Sequence, residues 1–210
     1  MIEVVHLGPD DVRVTAWRNG GGTTRELWLW PETARFEALD FDLRVARASV
    51  TRDGPFSDFA GFERHLVVLS GAGLELEHGD PPRRARLRPL EPYRFDGAEP
   101  ASARLLAGEV EDLNVLARRG ALAVELEVLR LGARRARVAL ERGQAFAHLV
   151  AGAAQARVTG EDEPFDLDAG ESLWIEGLVG GEELDLQGAR DGTLVVVVRA
   201  AAERPRRAGP

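Results

Sequence analysis

Short runs in which apolar and polar residues alternate recur along the whole chain, and Gly, Pro or Asp bounds most of them. Helical periodicity is hard to find, and a period of two is typical of strands that bury one face. The chain is therefore predicted to be mostly β. The predicted strands cover residues 25–30, 41–51, 64–70, 73–78, 103–108, 112–117, 125–130, 136–141, 144–150, 154–159, 172–175 and 193–200.

A soft internal repeat divides the chain into two similar halves. Residues 64–76, RHLVVLSGAGLEL, and residues 146–158, FAHLVAGAAQARV, each give an apolar strand, a turn of small residues and a second strand. Two tandem β-barrels would produce this pattern. We predict an N-terminal barrel over residues 1–120, a C-terminal barrel over residues 121–200 and a frayed tail over residues 201–210.

Composition narrows the classes of partner. The chain has 210 residues, 44% of them apolar, and a net charge of −8, which argues against nucleic acid or an anionic membrane surface as the partner. All 27 basic residues are Arg and there is no Cys, so Schiff-base and thiol chemistry are excluded. The N-terminal residues lack a signal-peptide pattern, and a cytoplasmic location is the default expectation.

Three adjacent glycines, Gly20, Gly21 and Gly22, lie just before an apolar alternation. Glycine at an ordered position indicates a positive φ angle or a close approach by a ligand or another strand. A turn at the entry to a strand is the commoner explanation of such a cluster. Both explanations stay open on this run alone.

The spacing around Gly71 resembles the first motif of the cupins, in which a metal-binding Glu precedes a turn glycine by seven residues. Arg64 stands at that position, and no His pair lies upstream. The same count from Gly152 reaches Ala145. The four histidines are too scattered for a metal site; we expect a structural role for His65 and His148 and edge positions for His6 and His78. No metal and no cofactor are predicted.

The chain resembles the HutD/Ves family of bicupins. The resemblance rests on five segments in order: WRNGGGTTRE from residue 17, FDLRVARA from 41, GPFSDFAGFERHLVVLSGAG from 54, PYRFDG from 92 and DLNVLARRG from 112. They span most of residues 17–120, whereas the second half resembles the family only in its barrel-like pattern. Leu43 and Leu116 depart from the aromatic residue and the Met expected there, which affects pocket shape more than fold.

The resemblance implies an all-β bicupin with two cupin-like barrels of the RmlC-like jelly-roll type. It implies a metal-independent protein, linked to histidine utilisation or, in another branch, to stress response, that binds a small pathway intermediate. Urocanate, formylglutamate and formiminoglutamate are the carboxylates expected. In this interpretation the protein is a binding module that senses or limits pathway flux, and a homodimer is compatible with the sequence.

Arg64 is the central candidate for ligand binding, because a guanidinium inside an apolar barrel needs a planar acceptor to offset its desolvation. Arg44 is either a second carboxylate clamp or the ion-pair partner of Asp42. Asn114 could donate to a ligand oxygen, or it could tie down the backbone of the glycine loop. The remaining candidates are Trp17 and Phe59 for stacking, and Asn19, Gly21, Gly22 and Thr23 at the rim.

Strand parity decides these assignments. Neighbouring residues on a strand point to opposite faces, so an inward Arg64 requires an outward Glu63, and a register shift by one residue would invert the pair. Pairing of Arg64 inside a closed, filled barrel would contradict the binding hypothesis.

Two other classes of function stay open at this stage. A metal-independent isomerase or hydrolase would need Glu26, Glu63 or Asp112 as its base, with Tyr93 as the one tyrosine. No catalytic residue is assigned, because no titratable pair within reach of one substrate is evident. A structural or regulatory module would act through its surface and bind another protein.

Overall fold

The computed structural model describes residues 1–17 and 20–203, and these residues form nineteen strands and two short 3₁₀ turns. The chain divides into two compact units. We call residues 12–122 the N-terminal barrel, and residues 1–11 together with 123–203 the C-terminal barrel. None of the described residues forms a helix long and apolar enough to cross a membrane.

The N-terminal barrel contains a six-stranded and a four-stranded antiparallel sheet, in the orders β2-β3-β4-β11-β6-β9 and β5-β10-β7-β8. The 3₁₀ turn Phe36–Ala38 lies between β3 and β4. The strands are β2 Arg13–Ala16, β3 Gly22–Trp30, β4 Leu43–Val50, β5 Gly54–Phe56, β6 Phe62–Ser70, β7 Leu74–His78, β8 Arg83–Leu87, β9 Tyr93–Asp96, β10 Ala101–Leu105 and β11 Val110–Arg118.

The C-terminal barrel contains a five-stranded sheet, β1-β17-β14-β19-β12, and a four-stranded sheet, β13-β18-β15-β16. The 3₁₀ turn Pro9–Asp11 follows β1. The strands are β1 Glu3–Leu7, β12 Leu122–Leu131, β13 Ala136–Leu140, β14 Gly143–Ala151, β15 Ala153–Val158, β16 Phe165–Asp168, β17 Ser172–Leu178, β18 Glu182–Gly188 and β19 Thr193–Ala202.

The two barrels share one order of eight strands. The order β4-β11-β6-β9 corresponds to β12-β19-β14-β17, and β5-β10-β7-β8 corresponds to β13-β18-β15-β16. The two repeat segments seen in the sequence contain the turns from β6 to β7 and from β14 to β15. Each turn carries the chain from one sheet to the other, and Gly71 in the first has a φ of +93°, which favours glycine.

The predicted all-β fold is confirmed, and all twelve predicted strands overlap observed ones. The predicted strands leave out residues 83–87, and the structure differs there because this basic segment forms β8, paired with β7. The predicted first domain also included residues 1–11. The structure differs there, since β1 pairs with β17 from Glu3 opposite Glu176 to Leu7 opposite Ser172.

Candidate functional site

The inner face of the six-stranded sheet in the N-terminal barrel carries charged and polar side chains. Because β6, β11 and β4 lie side by side, each residue of β11 from Glu111 to Ala117 has one partner on either side. Leu116 lies between Arg64 and Arg44, Asn114 between Leu66 and Ala46, and Asp112 between Val68 and Ala48. We call Arg64, Asn114 and Asp112 the interior triad.

Arg64 points into the N-terminal barrel, and only 7% of it is exposed. Its guanidinium carbon lies 4.7 Å from the ring centre of Phe56, 5.4 Å from that of Phe95 and 5.9 Å from that of Phe59. Aromatic faces attract a cation at such distances. Glu63 lies on the other face, where its carboxylate is 3.0 Å from the His65 ring. The parity required for the Arg64 assignment is therefore present.

The hydrogen-bond partner of Arg64 is a neutral side chain. Its Nε and Nη2 donate to Oδ1 of Asn114 at 2.9 and 2.6 Å, and Nη1 donates to the carbonyl of Ser57 at 3.4 Å. Among the described residues, no carboxylate forms an ion pair with Arg64. Burial lowers the pKa of Arg64 to about 10, while the charge of Asp112 opposes that shift. Arg64 is thus a buried cation at neutral pH. Its internal hydrogen bonds and its low exposure count against the binding hypothesis, whereas the absence of a carboxylate partner in the described part of the chain counts for it.

Asp112 lies on the far side of Asn114 and is 1% exposed. Its Oδ1 accepts a hydrogen bond from Nδ2 of Asn114, whereas its buried Oδ2 has no partner in the described part of the chain. Burial raises the pKa of Asp112 to about 7, although the Arg64 charge and the Asn114 hydrogen bond oppose the shift. This carboxyl therefore keeps its proton to a much higher pH than an exposed Asp does.

Arg44 also points inward, and its partner is Glu26 on β3, with Nε to Oε2 at 2.7 Å. Its guanidinium carbon lies 4.1 Å from the ring centre of Phe36. The alternative in which Arg44 pairs with Asp42 is wrong, because the Asp42 carboxylate accepts from Arg118 at 2.8 Å. Burial lowers the pKa of Arg44, and Glu26 opposes that shift.

The glycine run lies at the start of β3. A Cβ on Gly22 would lie 2.0 Å from the carbonyl oxygen of Ser49 on β4, so the neighbouring strand requires glycine at this position. The carbonyl of Gly21 accepts from the backbone and the hydroxyl of Thr51 at 3.0 and 3.2 Å. Trp17 donates from Nε1 to Oγ1 of Thr24 at 2.8 Å.

The structure brings only some of the predicted site residues together. Arg64, Asn114, Arg44 and Phe59 share the barrel interior, and the ring of half-buried Trp17 meets Phe56 edge-on at 6.5 Å. Thr23 is exposed and alternates with the inward Thr24. Gly21 and Gly22 have the backbone roles given above, and Asn19 lies outside the described residues. Asn114 bonds the other two members of the triad rather than the glycine loop.

His78 was expected to be an edge residue, and this prediction is wrong. It is 3% exposed because it follows Leu74 and Leu76 on the inward face of β7. Its Nδ1 pairs with Glu99, and its Nε2 lies 2.7 Å from the hydroxyl of Tyr93. The hydrogen bond from His78 lowers the pKa of Glu99. A His therefore lies inside the barrel, contrary to the sequence analysis.

Other polar features lie away from the triad. Nδ1 of His148 is 2.8 Å from the hydroxyl of Ser172, and His6 is 3.2 Å from Glu171. Among the described residues there is no group of three or more His, Asp or Glu side chains placed to hold a metal. A concavity of about 240 Å³ lies over the four-stranded sheet, lined by Glu75, Glu77, Arg84, Ser102, Ala103 and Arg104. Its charges pair among themselves.

Sequence reasoning missed the specific partners of the charged groups. Asp112 was placed on the same strand face as Asn114, but its unpartnered oxygen follows from the contact with Asn114, which a period of two does not reveal. Glu26 can reach Arg44 because β3 pairs with β4 and Glu26 lies opposite Ala46, two residues from Arg44 on the same face. The nearest sequence signal was the alternation of Asp112, Asn114 and Leu116.

Two tandem jelly-roll barrels define the class of protein, which is a bicupin. The chain superposes on the cupin oxalate decarboxylase of Bacillus subtilis with a TM-score of 0.68, over 95% of this chain and 78% of that one, at 9% identity. A likeness at that identity shows the fold alone. The model of the HutD family matches residues 9–196, and the chain belongs to this family.

Three of the proteins that are similar to this chain come from Escherichia and Pseudomonas. Protein Ves of Escherichia fergusonii is 36% identical over 106 residues, 50% of this chain. An uncharacterised 21.2 kDa protein in the hutC 3′ region of Pseudomonas putida is 37% identical over 117 residues, 55% of this chain. The chain spans about half the length of these two relatives, 53% and 59% respectively. A conserved protein of unknown function from Pseudomonas aeruginosa PAO1 superposes with a TM-score of 0.83 at 26% identity, covering 96% of this chain and all of that one.

Proposed function

We propose that the N-terminal barrel binds a small carboxylate metabolite at Arg64 and that the protein thereby senses or limits flux through histidine utilisation. One observation carries this proposal. The buried Arg64 cation has a neutral hydrogen-bond partner, Asn114, and a distant backbone carbonyl, in place of a carboxylate. A buried cation without a carboxylate in direct contact is costly, because Asp112 acts on Arg64 only across Asn114, and a carboxylate ligand would supply that contact.

The surroundings of Arg64 favour a small planar anion. Phe56, Phe59 and Phe95 present aromatic rings to the guanidinium, and a guanidinium binds a carboxylate with two parallel hydrogen bonds. Ala46 and Ala48 give the neighbouring strand small side chains beside Asn114 and Asp112. A ligand that reaches Arg64 would displace the Ser57 carbonyl contact, which at 3.4 Å is the weakest of its hydrogen bonds.

Arg44 has a lesser place in this proposal. Glu26 already neutralises Arg44 at 2.7 Å. A ligand carboxylate would therefore have to displace a carboxylate that belongs to the same chain and is in contact with Arg44. We therefore assign the ligand charge to Arg64 and give Arg44 the role of closing the interior next to Phe36.

The pathway assignment rests on the family and on the hutC region that names the Pseudomonas putida relative. Urocanate, formylglutamate and formiminoglutamate all carry the carboxylate that Arg64 requires. The proposed place of action is the cytoplasm, where these small anions would be the partners.

A thermal unfolding series with these three metabolites and with histidine tests the proposal. A ligand at about 100 times its dissociation constant adds about 2.7 kcal/mol to the free energy of unfolding. We expect a saturable rise in Tm with at least one metabolite, and we expect Arg64→Gln to abolish it.

Arg47→Gln is the matched control. Arg47 lies on the same sheet, faces outward and pairs with Glu111 at 2.7 Å, so its loss removes one positive charge without touching the barrel interior. The ligand response should survive in this variant. A response that persists in Arg64→Gln, or no response with any of the metabolites, would contradict the proposal.

One observation favours an enzyme as the second candidate. A carboxyl whose pKa burial has raised to about 7, as in Asp112, can give or take a proton at neutral pH. Incubation of the protein with each metabolite, followed by NMR of the small molecules, would reveal turnover. Product that forms with wild type and not with Asp112→Asn would favour an enzyme over a binding module.

A further inference from the structure

The charges inside the N-terminal barrel do not balance in pairs. Arg44 and Glu26 neutralise each other at 2.7 Å. Arg64 and Asp112 remain, and Asn114 separates them by accepting from the first and donating to the second. The net charge of the interior is therefore zero when Asp112 is ionised and positive when Asp112 carries a proton.

The orientation of Asn114 follows from chemistry. Arginine has only donors, so the amide oxygen of Asn114 must face Arg64 and its NH₂ group must face Asp112. This NH₂ group donates a hydrogen bond to Oδ1 of Asp112. Oδ2 of Asp112 is the acceptor or, once protonated, the donor that is left without a partner among the described residues.

An unpartnered oxygen on a 1% exposed side chain indicates a missing hydrogen-bond partner. An ionised carboxylate at this position would repel an incoming anion, whereas a protonated one could donate to it. The two states of Asp112 thus have opposite effects on a carboxylate bound at Arg64.

We propose that the N-terminal barrel takes up its carboxylate ligand together with one proton on Asp112, whose Oδ2 then donates a hydrogen bond to the ligand. The proton comes from solvent when Asp112 is ionised, and no covalent bond of the ligand changes. This inference rests on the proposed function, because it concerns the same ligand at Arg64.

Burial raises the pKa of Asp112 to about 7, which agrees with this geometry. Several other charged or titratable groups line the elements around the triad and bear on its pH dependence. They are Glu26 on β3, Arg44 on β4, Arg64 on β6, His78 on β7, Tyr93 on β9 and, on the outer face of β11, Glu111. Glu26 and Arg44 pair with each other, and His78 is held between Glu99 and Tyr93.

Isothermal titration calorimetry with formylglutamate as the probe tests the inference, because the carboxylates of this ligand do not titrate between pH 6 and pH 8.5. If binding requires protonated Asp112, the dissociation constant should rise about 30-fold over this range. At pH 8 the heat should also depend on the ionisation enthalpy of the buffer, with uptake of close to one proton.

Asp112→Asn keeps the shape and the neutral charge of the protonated carboxyl. We expect this variant to bind formylglutamate at pH 8.5 nearly as well as at pH 6. Glu111→Gln is the control on the opposite face. Because the Glu111 charge also helps to raise the pKa of Asp112, this variant should keep a pH-dependent affinity, with its midpoint moved to lower pH.

Wild-type binding that is equally tight at pH 6 and pH 8.5 would overturn the inference and leave the proposed function standing. Asp112→Asn that keeps the full pH dependence would also overturn it, because another group would then have to take up the proton. Absence of binding at every pH would overturn the proposed function, and the inference with it.

A measurement on the ligand-free protein tests the inference independently of the proposed function. Carbon-13 NMR of the Asp carboxyl groups, with Asp112→Asn used to assign the signal, gives the midpoint of Asp112 in the free protein. A midpoint near pH 7 is expected, and one below pH 5 would overturn the inference whatever the ligand data show.

Discussion

The two barrels of the protein share one order of eight strands and differ in what fills them. In the C-terminal barrel the inward faces form one apolar cluster that includes Leu149, Leu173, Val195 and Val197. In the N-terminal barrel the apolar cluster around Leu66 and the aromatic cluster around Phe41 are separate, and the charged residues belong to neither.

Strand register makes the comparison residue by residue. In the N-terminal barrel Arg64 pairs with Leu116, Leu66 with Asn114 and Val68 with Asp112. At the corresponding places of the C-terminal barrel, Ala145 pairs with Arg199, Ala147 with Val197 and Leu149 with Val195. The positions of the interior triad are therefore Ala145, Val197 and Val195 in the other barrel.

This difference separates fold from function. The C-terminal barrel has the same strand order with apolar residues at all three positions of the triad, so the triad is not needed to form it. Buried charges often stabilise a protein less than apolar residues of similar volume do. We therefore attribute the interior triad to the proposed ligand binding and not to stability.

A carboxylate placed inside the C-terminal barrel, at the position that corresponds to Asp112, should have the largest effect on stability. Val195→Asp introduces a carboxylate into an interior that is 0% exposed at this position and places it opposite Leu149. We expect a loss of about 5 kcal/mol in the free energy of unfolding at pH 8, measured by urea denaturation. Val195→Thr, with the same shape and no charge, should lose much less. Equal losses in the two variants would show that the C-terminal interior tolerates charge.

The reverse change tests the cost of Asp112 in its own barrel. Its pKa is about 7 in the folded protein and close to 3.8 in the unfolded chain. Between these values the unfolded chain has lost the proton and the folded protein still holds it, so the stability from this group is full below about pH 4 and is lost as pH rises to 7.

Asp112→Asn removes this dependence. Relative to wild type, the variant should gain about 4 kcal/mol between pH 4 and pH 8, measured by urea denaturation at the two pH values. Parallel stability curves for the two proteins would contradict a protonated Asp112.

His78 tests whether a polar group of the N-terminal interior can be purely structural. His78→Phe keeps a ring beside Phe95 and loses the contacts with Glu99 and Tyr93. We expect a loss of about 2 kcal/mol in stability with ligand affinity unchanged. Arg83→Gln removes the 63% exposed partner of Glu99 and should change stability by less than about 0.5 kcal/mol. Loss of ligand affinity in His78→Phe would extend the site to β7.

The smallest effect is expected at Trp17. Trp17→Phe removes the hydrogen bond to Thr24 and keeps an aromatic ring near Phe56, at a cost of about 1 kcal/mol. Thr24→Val removes the same bond from the other side. The double variant should cost less than the sum of the two single variants, and simple additivity would show that the bond contributes nothing.

The sequence was sufficient for the fold and for the direction of the main side chains. A period of two put Arg64 on one face and Glu63 on the other, and it put Asn114 with Asp112. This pattern did not predict β8, where Ala85 and Leu87 are the only apolar residues. The segment is a strand because it pairs with β7. Long-range pairing likewise decides the place of β1 and the partner of Arg44.

The interior triad itself was only half predictable. Arg64 and Asn114 could be named because their residue types and parity suit an anion site. That Arg64 uses a neutral side chain, and that one oxygen of Asp112 stays unpartnered, depends on how three strands align and on where the amide of Asn114 points. These are distances between atoms, which alternation does not contain.

A crystal structure of the protein soaked with formylglutamate is the most direct test of the central claim. We predict electron density in the N-terminal barrel, with a ligand carboxylate in hydrogen-bond contact with the Arg64 guanidinium and within reach of Oδ2 of Asp112, and no density inside the C-terminal barrel. A ligand bound elsewhere, with the Arg64, Asn114 and Ser57 contacts unchanged, would contradict the account.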